Sequence, residues 1–181
     1  MVGETTPQTR AVFTDTAARV GAKIVFAEDQ PEVVACAKHF ASPCWEDGRG
    51  DSSLVTRHSS FVYKYQTRSF GTLFGELSGA CQPKNANTIL VSLRTLSEAV
   101  PSLCIGTQAV RRGFAECCSM TGLMGRWQQL ASRPDVFCDT GHNAGGWEYL
   151  SDQLRGLARR YDRLHVVFGM AADKEVGTVL E

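Results

Sequence analysis

The spacing of apolar and polar residues changes most sharply between residues 134 and 158. Val136, Phe137 and Cys138 form a short apolar run opened by Pro134, which predicts a buried strand of the parallel type. Asp139 stands at its carboxyl end, followed by the small polar bend Thr140-Gly141-His142-Asn143. From Trp147 the period becomes helical, with Trp147, Leu150, Leu154, Leu157 and Ala158 on one face. Residues 164–170 are again apolar and read as a second parallel-type strand. Open α/β sheets place ligands at the carboxyl ends of their strands, where the N–H groups of the next helix favour an anion. Asp139 and His142 bring a charge and a titratable ring to that corner.

The same two periods run through the residues before it. Thr6-Pro7 predicts a helix start with Thr6 as N-cap, an apolar stripe at Val12, Phe13, Ala17 and Val20, and a stop at Gly21. Residues 23–28 read as a strand with Ile24-Val25-Phe26-Ala27 at its core, and residues 2–5 as the tail of another. Residues 46–53 are polar and glycine-containing, a surface loop; its Arg49-Gly50-Asp51 triplet is too short a match to carry an adhesion reading. Phe61, Tyr63 and Tyr65 alternate with Val62 and Lys64, and residues 70–77 follow as a short strand, predicting a hairpin or meander. These aromatics suit sheet packing better than base stacking. Gly79 to Asn85 leads into a helix bearing Ile89, Leu90, Leu93 and Leu96. Thr107 opens another, with Ala109, Val110, Phe114 and Cys117 inward. Residues 121–127 break the helical period with two glycines, and an inter-domain linker is placed there.

Composition narrows the function classes. With 43% hydrophobic residues in 181, the chain can build a core, as one domain or parts of two. Lys+Arg and Asp+Glu are both 19, so no overall basic field attracts nucleic acid or an anionic membrane, and a charged ligand needs a local site. No apolar run is long enough to span a bilayer, and the first residues lack the build of a signal peptide. The seven cysteines are odd in number and form no Cys-x-x-Cys pair, so free, mostly buried thiols in a cytoplasmic protein are expected. Cys117-Cys118 suits packing better than redox chemistry.

Near the linker, Arg126 offers a forked, permanent cation that meets a phosphate only when two domains close. Gln82 and Asn85 carry amides that both donate and accept, as the edge of an adenine requires; Asn85 is otherwise a helix cap. The ordered set Gly125-Arg126, Asp139-Thr140-Gly141-His142-Asn143, Val167-Phe168-Gly169-Met170 and Asp173-Lys174 resembles the C-terminal half of the folylpolyglutamate synthase/dihydrofolate synthase family of the Mur ligase superfamily. The resemblance covers nearly the whole chain. Gln82 and Asn85 match the family's Gly-x-His-Gln-x-x-Asn segment, with Cys81 where histidine is common.

The resemblance implies an α/β fold: the end of a Mur-ligase-type ATP-binding domain over residues 1–122, then the start of a Rossmann-like ligase domain over 123–181. It implies an ATP-dependent ligase that activates a folate or dihydropteroate carboxylate as an acyl phosphate, which the amine of L-glutamate attacks. Such chemistry depends on positioning and charge neutralisation by ATP-bound Mg²⁺. Carried over, Asn85 contacts the adenine side, Arg126 the phosphates and Asp139 the ribose. His142 lies near the incoming glutamate, with Asn143 shaping the turn. Asp173 and Lys174 match the family without an assigned role. The implied enzyme is a cytoplasmic monomer without nucleic-acid or membrane partners.

No Gly-x-x-x-x-Gly-Lys-Ser/Thr occurs in the sequence, so the triphosphate cradle and the Mg²⁺ ligands are expected in a preceding part, and the segment alone is expected to be inactive. The alternative is a non-catalytic remnant, a nucleotide-binding or interaction module. A hydrolase built on Asp139 and His142 lacks a Gly-x-Ser-x-Gly elbow, and the two residues fall on one turn.

Overall fold

The structure is a computed structural model that describes residues 1–40, 61–169 and 177. The surface loop expected at 46–53, Cys44, Met170, Asp173 and Lys174 lie outside the described residues. Helix α1 (Pro7–Arg19) starts as expected: the Thr6 hydroxyl accepts the Thr9 N–H, and the Thr9 hydroxyl accepts the Thr6 N–H at 2.8 Å. It ends at Gly21, which has a left-handed φ of 63°. Its apolar stripe is not buried, since Val12 is 63% exposed and no residue of the helix is buried. No described element covers that stripe. Arg10 instead pairs with Glu28 and Asp29 and lies over the Phe26 ring. The expected strand at 23–28 reduces to one parallel bridge, Val2 to Phe26, before a 3₁₀ turn at Ala27–Asp29 takes the chain out of strand geometry.

Strands β1 (Val33–Phe40), β2 (Phe61–Thr67) and β3 (Thr72–Gly75) form an antiparallel sheet in that order. Alternation along β2 turns Tyr63 and Tyr65 inward beside Leu73, where they pack with Ala86, Leu90 and Val110. These tyrosines are therefore core, as the alternation predicts, and burial pushes the Tyr63 phenol up to about 12. The covering helices are α2 (Gln82–Ala99) and α3 (Thr107–Ala115), followed by the short α4 (Cys117–Thr121). On α2 only Leu90 of the four expected apolar positions is fully buried, while Ile89 and Leu96 are exposed.

Polar contacts tie this first layer together. Asn87 Oδ1 accepts the N–H groups of Glu32 (2.7 Å) and Val33 (3.0 Å), while its amide donates to the Ala27 carbonyl at 2.8 Å. The fully buried Glu32 carboxylate accepts the Ser69 N–H at 2.5 Å and pairs with Arg94 Nη1 at 3.2 Å. A buried carboxylate needs such partners, because desolvation is costly without them.

The second apolar cluster gathers Trp127, Leu150 and Leu157, with Phe137, Trp147, Leu154 and Tyr161 against them. Here the structure corrects the expected parallel, buried strand. Strand β5 (Asp135–Cys138) pairs antiparallel with β4 (Gln128–Ser132), and Val136 is 40% exposed. The chain reverses between Ser132 and Asp135, which pair with each other, so the ladder of β5 is satisfied locally. Residues 164–169 likewise form no strand; no ladder partner is present among the described residues, and Val167 is fully exposed. Helix α5 (Ala144–Ala158) has the expected apolar face, with Leu150 and Leu157 buried but Ala158 exposed.

Asn143 caps α5 by accepting the Gly146 N–H at 2.7 Å. Asn143→Ala should lower stability by about 1 kcal/mol in urea unfolding, and Asn143→Gly by only a few tenths.

The six described cysteines are free. They are not mostly buried, because only Cys118 is, whereas Cys36 and Cys104 are exposed. Burial pushes the Cys118 thiol up to about 12, so it is a packing group rather than a nucleophile. No helix among the described residues is long and apolar enough to cross a membrane.

Candidate functional site

Two turns meet where the second cluster begins. The first runs through residues 125–127 and the second through 139–143, and a dense set of hydrogen bonds holds them together. Asp139 Oδ2 accepts the Trp127 N–H at 2.7 Å, and its Oδ1 accepts the Gly141 N–H at 2.8 Å. Thr140 donates its N–H to the Gly125 carbonyl at 2.9 Å, and its hydroxyl donates to the same oxygen at 3.1 Å. The Arg126 guanidinium in turn donates to the Thr140 hydroxyl. Arg126, Thr140, His142 and Asn143 are all exposed, so the turns present a cation, a hydroxyl and an imidazole to solvent over a braced backbone.

Gly125 is required by this packing. Its φ is 69°, and a Cβ there would lie 2.5 Å from Thr140 Cγ2. Gly125→Ala should therefore cost about 1–3 kcal/mol in unfolding free energy, through left-handed strain and the overlap.

His142 meets the Thr140 carbonyl through Nδ1 at 3.1 Å. A carbonyl only accepts, so Nδ1 carries a proton and Nε2 is left to face a ligand. The ring is not oriented by Asp139, whose oxygens take backbone N–H groups instead. That removes the Asp–His geometry a hydrolase needs.

Across from these turns, α2 begins at the Cys81 cap. Asn85 lies in the first turn of the helix, so it is not the cap. It is exposed, and its amide N–H₂ is directed back towards Cys81 Sγ (3.7 Å) and Gln82 Oε1 (3.4 Å). Burial raises the Cys81 thiol pKa; Asp139 and Glu4 raise it further and Arg126 lowers it. Cys81 thus lies within electrostatic reach of both Arg126 and Asp139, and it touches Asn85. Arg126, Asp139 and His142 lie on the two bonded turns and Asn143 caps the helix leaving them, whereas Asn85 lies on the first turn of α2, after the segment whose Ser78 bonds Trp127.

Several residues that complete this region carry no recognisable sequence signal. The buried Ser78 hydroxyl donates to the Trp127 carbonyl at 3.0 Å. Gln153 Oε1 accepts the Ala80 N–H at 3.0 Å. Lys84 bonds the Tyr149 hydroxyl at 2.7 Å and pairs with Glu4. Tyr149 and Gln153, four residues apart on α5, were visible only as the polar complement of its apolar face. An apolar cavity of about 290 Å³ between α2, α3 and β3 contains none of the charged groups above. Among the described residues no cluster of three or more His, Cys, Asp or Glu side chains could hold a metal ion, so the residues present do not form an Mg²⁺ site.

No family model matches the chain. It is 32% identical over 96 residues to the dihydrofolate synthase/folylpolyglutamate synthase of Escherichia coli strain K12, a match covering 53% of this chain and 20% of that protein. Its fold matches an FPGS–AMPPCP–folate complex with a TM-score of 0.60 at 17% identity, over 87% of this chain and 33% of that one. It also matches Mycobacterium tuberculosis folylpolyglutamate synthase complexed with ADP, with a TM-score of 0.57 at 22% identity, over 84% and 29% of the respective chains. The matched regions therefore span about a fifth to a third of those relatives' lengths. The α/β class is borne out, and so is the family resemblance read from the ordered motifs.

Proposed function

We propose that this segment of the folylpolyglutamate synthase/dihydrofolate synthase family carries the nucleotide- and glutamate-facing part of an ATP-dependent ligase, which joins L-glutamate to a folate or dihydropteroate carboxylate. The observation that carries the proposal is the meeting of Arg126, Asp139 and His142 on two hydrogen-bonded turns. Arg126 serves the phosphates, as its fork suits their oxygens. Asp139 accepts from the ribose with the lone pairs that its two backbone donors leave free. Asn85 reads the adenine side. His142 and Asn143 border the glutamate, the first through Nε2 and the second by fixing the turn. Bound Mg²⁺ would supply neutralisation of phosphate charge.

The proposed division places the end of an ATP-binding domain at residues 1–122 and the start of a Rossmann-like ligase domain at 123–181. Two separate apolar clusters and the glycine-broken stretch between them support that division. The enzyme is taken to act as a cytoplasmic monomer. A second reading, a non-catalytic nucleotide-binding or interaction module, is favoured by one observation: the sequence contains no P-loop.

The test joins this chain in frame to the N-terminal part of the Escherichia coli relative, where the family resemblance implies a P-loop, and measures ADP release with folate and ATP. Glutamate-dependent release from the joined protein, with none from the 181 residues alone, is the expected result. A folded but inactive joined protein would favour the non-catalytic reading, and robust turnover by the segment alone would overturn the need for a P-loop.

A further inference from the structure

Trp127 is held in a way its neighbours are not. It has a φ of 52°, a left-handed conformation that a bulky side chain adopts only when its surroundings impose it. Both ends of its backbone are clamped by side chains from distant positions. Its N–H donates to Asp139 Oδ2 at 2.7 Å, and its carbonyl accepts the hydroxyl of Ser78 at 3.0 Å. Its ring is 7% exposed and stacks on Phe137 with centroids 5.5 Å apart. Ser78 is wholly buried just before α2, whereas Asp139 follows β5. The clamp therefore joins the entry of the first helical layer to the turn of the second cluster, with the exposed Arg126 directly beside it.

We propose that Ser78 and Asp139 are positioning residues that act through the backbone of Trp127 to hold Arg126 in place. For Asp139 this is a task separate from any contact with a ribose. The clamp itself is independent of the ligase reading, and only its service to a phosphate-binding arginine rests on that reading. The chemistry of the two backbone donors separates these tasks. Two N–H groups, from Trp127 and Gly141, point at two oxygens of one side chain, so a carboxylate satisfies both. An asparagine in its place presents one oxygen and one N–H₂, and the N–H₂ must face a donor. A ribose hydroxyl, by contrast, needs only one acceptor, which asparagine still supplies.

Limited trypsin digestion of the 181-residue chain, read by mass spectrometry, reports the clamp without any ligand. The bond after Arg126 is a trypsin site, and a peptide bond is cut only when it opens locally. Ser78→Ala and Asp139→Asn should each speed cleavage between Arg126 and Trp127 by about tenfold, the loss expected for one buried hydrogen bond. Cleavage after Arg19 should keep its rate, which a general loss of structure would not allow. Ser78→Thr, which keeps the hydroxyl, should restore slow cleavage at Trp127, and Asp139→Asn covers the case in which the extra methyl disturbs the buried site. Unchanged cleavage after Arg126 in both Ser78→Ala and Asp139→Asn, or equal acceleration at every site, would overturn the clamp.

In the joined enzyme, Ser78→Ala should lower kcat in the presence of Arg126 and have no further effect in an Arg126→Ala background, as residues acting through one another are not additive. Additive losses would overturn the claim that Ser78 acts through Arg126. Absence of activity in the unsubstituted joined enzyme would count against the ligase reading and leave the clamp to be judged by cleavage alone.

Discussion

Arg94→Ala should lower the unfolding free energy of the chain by about 3 kcal/mol, the range seen when one partner of a buried ion pair is removed. Glu32 is fully buried, and without Arg94 its carboxylate keeps, among the described residues, only the Ser69 N–H. The loss would come from the stranded charge more than from the removed contact. It should therefore shrink when the charge is removed first. In a Glu32→Gln background, Arg94→Ala should cost less than about 1 kcal/mol, because a neutral amide tolerates burial better. Urea unfolding of the four proteins closes the cycle. Equal costs for Arg94→Ala in both backgrounds would assign the effect to packing of the arginine stem.

The second large effect belongs to catalysis. Arg126→Ala in the joined enzyme should lower kcat by about two to three orders of magnitude, as loss of a preorganised donor to developing charge does. The guanidinium is exposed and, among the described residues, engaged by the Thr140 hydroxyl, which leaves the rest of its fork to a phosphate. A contact made chiefly in the charge-developing state lowers kcat and kcat/KM together and leaves KM for ATP nearly unchanged. Arg126→Lys should recover little, because a point charge lacks the fork. A rise in KM for ATP with normal kcat would make Arg126 an ordinary binding residue.

The parts of this molecule legible in the sequence are those decided by local chemistry. Thr6-Pro7 predicts a helix start through its cap, and the cap forms. Tyr63 and Tyr65 predict an inward strand face, and both are core. What could not be read depends on partners far along the chain. Strand β1 is rich in short and polar residues, Val-Val-Ala-Cys-Ala-Lys-His-Phe, and its existence follows from pairing with β2 rather than from a period of its own. The apolar run Val136-Phe137-Cys138 predicts a buried strand, but pairing with β4 leaves Val136 exposed and Phe137 and Cys138 half-buried. In the site, ordered motifs pointed to Arg126, Asp139 and His142. Ser78 and Gln153, which bond Trp127 and Ala80 beside the site, are common polar types whose contacts lie 49 and 73 positions away.

The most direct measurement is a comparison of substrate KM values in the joined enzyme carrying His142→Ala or Asp139→Ala. His142 is exposed with Nδ1 at the Thr140 carbonyl, whereas Asp139 is half-buried and accepts the N–H groups of Trp127 and Gly141. The account predicts that His142→Ala raises KM for glutamate and leaves KM for ATP nearly unchanged. Asp139→Ala should raise KM for ATP by a factor equivalent to about 1–3 kcal/mol, and also lower kcat through its loosened hold on Arg126. Unsubstituted kinetics in both variants would contradict the account and reduce the two turns to an ordinary surface bend.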